Sequence, residues 1–166
     1  MQRSILLSVV VLTLTVVASN RCMAQDCFGN DKGAASTDRS RHYSWGQSQN
    51  TAGLKSALRS KIELVFKCKG LSEMDLDLTF ADISKIIADR APNPACFGGD
   101  EGALNKDWDF HVKWAAGKSQ STILSNLTTK TLKAMDCLDR LKQLDLYADI
   151  SVKLAMDAFP GWGLKL

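Results

Sequence analysis

Two histidines are the whole imidazole complement of this 166-residue chain, and they stand in matched surroundings. Asp38 precedes His42 by four residues and Trp45 follows it by three; Asp107, His111 and Trp114 repeat that spacing. Four residues is about one helical turn, so each carboxylate would share a helix face with its imidazole. Two chemistries are open to such a pair. A histidine oriented by an aspartate can act as a general base. His plus Asp from two facing copies would also supply four ligands, the number a structural zinc site uses. The neighbouring residues carry neither idea further. Ser40 and Ser44 are unmarked hydroxyls, there is no Gly-x-Ser-x-Gly elbow, and no zinc-type ligand spacing accompanies the histidines. The expectation is no catalytic residue, no metal and no cofactor. Each pair then reads as an Asp–His contact beside a tryptophan that anchors the core.

Cysteine chemistry points to covalent staples. Cys27 to Cys68 is a step of 41, and Cys96 to Cys137 is the same step. Placing residue i over i+69 extends the coincidence. Cys27-Phe28-Gly29 falls on Cys96-Phe97-Gly98, Asp31 on Asp100, and Gly33-Ala34 on Gly102-Ala103. With Asp38, His42 and Trp45 on Asp107, His111 and Trp114, nine of 19 positions are identical, where chance gives about one. The register runs on through Leu58 on Leu127, Lys61 on Lys130 and Cys68 on Cys137. After two one-residue slips, Ala81-Asp82-Ile83-Ser84 falls on Ala148-Asp149-Ile150-Ser151. The sequence therefore reads as an internal duplication. Four cysteines allow three connectivities. Pairing within each copy is expected, because copying a self-sufficient unit copies its bridge; the exchanged set Cys27–Cys137 and Cys68–Cys96 would apply if the copies interlock.

The N-terminus reads as a cleaved signal peptide. Arg3 is followed by an uncharged apolar run, Ile5 to Ala18, too short for a membrane span. Cleavage after Ala24 is preferred to cleavage after Ser19, because it removes Cys22 and leaves an even set of thiols in an oxidising compartment. Removing residues 1–24 lowers the formal charge from +3 to +1. A near-neutral chain has no electrostatic reason to seek nucleic acid or anionic lipid. The expected organisation is leader 1–24, helical repeat 25–90, a proline-containing linker 91–95, and helical repeat 96–166 with an aromatic tail.

Apolar residues at steps of three and four predict the elements. Each repeat is expected to hold three helices. The first starts near Ala34 or Ala103 and ends near Gly46 or Gly117. The second spans Thr51–Lys69 or Ser121–Leu138. The third carries Leu76, Phe80, Ile83 and Ile87, or Leu144, Tyr147, Ile150 and Leu154. The fold class is thus all-α: two tandem pseudo-symmetric three-helix modules stapled by disulfides.

Smaller signals complete the reading. Asp31 and Asp100 sit in Phe-Gly-x-Asp-x-Gly-Ala, which lacks the alternating oxygen ligands of a calcium loop and reads as a turn with an acid near a helix start. Asn126-Leu127-Thr128 is a glycosylation sequon, with Ala57 at the matched place of the first repeat. Phe159 to Gly163 forms an aromatic Pro/Gly tail. The functional expectation is a secreted, non-enzymatic binding protein with an extracellular protein partner. The alternative is a carrier of a small apolar ligand, its cavity lined by Trp45, Phe66, Phe80, Trp114 and Tyr147. A metal-dependent hydrolase using the Asp–His pairs is the remaining option.

Overall fold

The computed structural model describes residues 27–29, 31–68, 71–91 and 93–158; the expected leader, 1–24, and the tail from Phe159 lie outside the described residues. Among the described residues there are six α-helices and no strand: α1 (Arg39–Gln47), α2 (Thr51–Phe66), α3 (Glu73–Arg90), α4 (Trp108–Ala115), α5 (Gln120–Cys137) and α6 (Arg140–Asp157). Two 3-10 turns, Pro94–Phe97 and Glu101–Leu104, precede α4.

Each helix opens on a side chain that accepts from its free amides. Asn50 and Ser119 cap α2 and α5. Ser72 and Asp75 form a capping box on α3, and Asp139 caps α6. Asp38 and Asp107 cap α1 and α4, accepting from the amides of Ser40 and Asp109. The first helices therefore start five residues later than expected, at Arg39 and Trp108. Before them the backbone is turned about Asp31, whose Oδ1 accepts from the amides of Gly33 and Ala34 at 2.9 Å. At the matched place Asp100 caps a 3-10 turn. These aspartates satisfy local amides, and that competes with helix. Gly117, at φ 77°, follows the end of α4 in a left-handed conformation that suits glycine.

Cys27 is bonded to Cys68, and Cys96 to Cys137. Each bridge ties the turn before a first helix to the end of the second helix in the same segment. The helices pack differently. α6 lies against α1 and α2, whereas α3 lies against α4 and α5. The third helix of each segment thus covers the first two of the other, and α2 meets α5 while α3 meets α6. One hydrophobic cluster draws on both segments, including Leu54, Leu58, Phe66, Ile83, Leu127, Met135, Ile150 and Leu154.

The Ala-Asp-Ile-Ser motif serves this exchange. Ala81, Ser84 and Ala88 on α3, and Ala148, Ser151 and Ala155 on α6, are all buried at steps of three and four. Small side chains at those steps let helix axes approach closely. The aspartates hold the incoming first helices. Asp149 accepts from Arg39 Nε and from Arg90, each at 2.6 Å, and Asp145 accepts a second Arg39 bond. Asp82 accepts from the Trp108 indole at 2.7 Å and pairs with Lys153. Arg39 and Trp108, both the first residue of their helices, are thereby bound to the opposite segment's third helix. Arg140 adds bonds to the carbonyls of Gly46 and Gln49 at the end of α1.

Candidate functional site

The Asp, His and Trp signature lies at two matched clefts. One is bounded by the Asp31 turn, α1, α2 and Tyr147 of α6; the other by the Asp100 turn, α4, α5 and Phe80 of α3. Their volumes are about 250 and 190 Å³. Phe28, Asp31, His42, Trp45, Lys61 and Tyr147 of the first correspond to Phe97, Asp100, His111, Trp114, Lys130 and Phe80 of the second. The exchange of third helices supplies the aromatic wall. Trp45 stacks on Tyr147 at 5.2 Å, and Trp114 stacks on Phe80 at 4.8 Å.

The floor is a buried lysine beside a buried histidine. Lys61 and Lys130 are each only 7% exposed. The Nε2 of His42 lies 2.7 Å from the Ser36 carbonyl, and that of His111 lies 2.7 Å from the Asn105 carbonyl. A carbonyl only accepts, so Nε2 carries the proton and Nδ1 of the neutral ring is an acceptor. Lys61 Nζ donates to the His42 Nδ1 across 3.2 Å. The two ammonium groups also sit over the faces of Tyr147 and Phe80, at 5.3 and 5.8 Å from the ring centres. Neither lysine forms an ion pair among the described residues.

The electrostatics follow from burial. Desolvation pulls both lysines down to about 8, with the charges of Asp31 and Asp100 opposing it. Burial also lowers His42 and His111, and the neighbouring ammonium adds to the effect in each case. Burial pushes Tyr147 up to about 12.

Several expectations are corrected here. Asp38 and Asp107 make no side-chain bond to the histidines: they face helix amides, and each imidazole is held by a backbone carbonyl six residues earlier. Trp45 is 43% exposed, so it is a cleft wall and not a core anchor. His42 and His111 belong to different clefts, so the two Asp–His pairs do not assemble into one four-ligand set. Among the described residues no three His, Cys, Asp or Glu side chains converge. Of the five aromatics expected around one cavity, two line each cleft and Phe66 is in the core.

Lys61 and Lys130 were visible as repeat matches, but their role was missed. The signal is their place in the apolar stripe: Leu54, Leu58, Lys61 and Val65 follow steps of four, three and four, as do Ile123, Leu127, Lys130 and Ala134. A charge on the buried face of an amphipathic helix needs a local reason. Asn126 is exposed on α5 at the rim of the second cleft. No described helix is long and apolar enough to cross a membrane.

Comparison with protein-family models, curated proteins and solved structures gave no match.

Proposed function

We propose that this is a secreted, non-enzymatic binding protein, made by duplication of one stapled helical unit, that holds a small ligand in each of two equivalent clefts. The observation that carries the reading is the concave site itself, present twice with the same lysine, histidine, aspartate and stacked aromatics. Concave sites with a few placed polar groups on an aromatic lining are the usual form of small-ligand sites. This favours the carrier reading over an extracellular protein partner.

The clefts are smaller than the roughly 300 Å³ at which drug-sized ligands begin. A long acyl chain or a retinoid is thus a poor fit, and so is the purely apolar ligand suggested by the aromatics alone. Catalysis is disfavoured by the histidines' bonding. Nε2 donates to a carbonyl, and in the first cleft Nδ1 accepts from the Lys61 ammonium, so both ring nitrogens are already engaged. The disulfides suit an oxidising, extracellular setting.

Each cleft contains a tryptophan, so ligand entry is readable as a change in indole emission. Screening a library of compounds of roughly six to fifteen non-hydrogen atoms should give saturable changes with two equivalents bound. A screen with no saturable response rejects this function.

A further inference from the structure

Each cleft presents a cation in search of a counter-ion. Lys61 and Lys130 are more than nine-tenths buried, outside any ion pair among the described residues, and lie on the cleft lining. A buried ammonium without a paired anion is costly, and a chain that keeps one at the floor of a solvent-open cleft has a place for an anion there. The other charged groups on the lining agree. The first cleft holds Lys61 and Arg41 against Asp31; the second holds Lys130 and Lys133 against Asp100. Both therefore carry one positive charge in excess. The aspartates are already engaged, Asp31 with two amides and Asp100 with one.

Volume and lining define the rest of the ligand. A cavity of about 150 Å³ accepts benzene. The clefts, at about 190 and 250 Å³, leave space beyond one ring for a single carboxylate-sized group. The walls next to the lysine are flat rings, Tyr147 with Trp45 and Phe80 with Trp114, which suit stacking or edge contact with another ring.

Resting on the two-cleft reading, we infer that each cleft takes a small aromatic carboxylate, its carboxylate on Lys61 Nζ or Lys130 Nζ and its ring against the paired aromatics. No bond is made or broken; the carboxylate forms an ion pair with the ammonium.

The test is calorimetric and fluorescence titration of the full mature chain with benzoate, benzamide and inorganic phosphate at pH 7. Benzoate should bind with a stoichiometry of two. Its neutral amide should bind roughly ten- to a hundredfold more weakly, the factor expected for a hydrogen bond to a charged group. Lys61→Met and Lys130→Met should each reduce the stoichiometry to one, and the double variant to none, with unchanged circular dichroism. Equal binding of benzoate and benzamide by the unaltered chain overturns the inference while leaving the clefts as ligand sites. Phosphate bound as tightly as benzoate reduces them to inorganic-anion sites and also overturns it. Binding of none of the three, together with a fully negative library screen, rejects the inference and the two-cleft reading alike. The benzoate–benzamide comparison needs no variant, so it holds even if a substitution fails to fold.

Discussion

Lys61 Nζ lies 3.2 Å from Nδ1 of His42, and the opposite nitrogen of that ring donates to the Ser36 carbonyl. The pair is a cation resting on a neutral base, with both groups desolvated. Its pH response is fixed by the direction in which each group is displaced.

The two histidines are lowered from 6.5, so the folded state resists their protonation. Their contribution is present above about pH 6.5 and is lost as the pH falls through their lowered values. The two lysines, lowered from 10.5 to about 8, act in the same sense at higher pH. Between about 8 and 10.5 the unfolded chain holds more protons than the folded one, so stability rises with pH. Tyr147, raised from 10.0 to about 12, acts oppositely: its contribution is present below 10 and is lost as the pH climbs toward 12. Urea midpoints measured from pH 5 to 11 should therefore climb out of the acid range, climb again above pH 8, and turn over near pH 10. A profile that is flat between pH 8 and 10 would contradict the buried-lysine geometry.

Replacing either lysine by methionine should stabilise the empty protein. The substitution removes a desolvated charge while keeping an unbranched side chain of similar reach. A gain on the order of 1–3 kcal/mol per site at pH 7 is expected from buried charges exchanged for apolar groups. The rise above pH 8 should disappear in the Lys61→Met, Lys130→Met double variant. His42→Ala should go the other way, by about 1–3 kcal/mol, because it strands the Ser36 carbonyl and opens a void. Urea denaturation of the two single lysine variants, the double variant and His42→Ala decides this. A destabilised methionine variant would mean that the ammonium is better satisfied than the structure indicates.

Much of this arrangement was legible in the chain, and the remainder was hidden for specific reasons. Helices α2, α3, α5 and α6 follow from apolar steps, because each buries one face. The starts of α1 and α4 are not legible in the apolar pattern, because Asp31 and Asp100 hold turns where apolar alanines suggest helix. The exchange of third helices was invisible in principle. α3 and α6 carry nearly the same apolar pattern, and the surfaces that receive them are near copies, so hydrophobicity alone gives no preference for one partner over the other. The clefts are not legible in the spacing of Asp38 and Trp45 to His42, because the group that meets His42 is Lys61, on the next helix. The expected leader and the aromatic tail lie outside the described residues.

Exchange of the third helices predicts how the protein divides. A fragment 25–90 keeps its own bridge, but the helix that should cover α1 and α2 is α6. Alone and monomeric it should unfold without a cooperative transition. Mixed with fragment 96–166 it should regain one, because each fragment supplies the other's cover; a second copy of 25–90 is the alternative cover, since α3 resembles α6. Thermal melts and sedimentation of the separate and mixed fragments test this. A cooperatively folded monomer of 25–90 would overturn the packing described.

The bridges should contribute comparably. Each closes the same separation of 41 residues, which in the chain-entropy model corresponds to about 4 kcal/mol. Cys27→Ala with Cys68→Ala, and Cys96→Ala with Cys137→Ala, should lower unfolding free energy by similar amounts in urea titrations. A strong inequality would show that one segment is constrained by more than its loop.

The path of α6 also sets a timetable for synthesis. α1 and α2 leave the ribosome early, yet α6, the helix that seals them, is the last of the six described helices to be translated. Throughout that interval their apolar face has no permanent cover. Cys27 and Cys68, in contrast, are both present once α2 is complete. Oxidation can therefore pin the early turn to the early helix while the chain is still growing. On this schedule the staple acts as a holding device during birth of the chain, and the docking of α6 is the late event that seals α1 and α2, whereas α4 and α5 emerge with their cover, α3, already made.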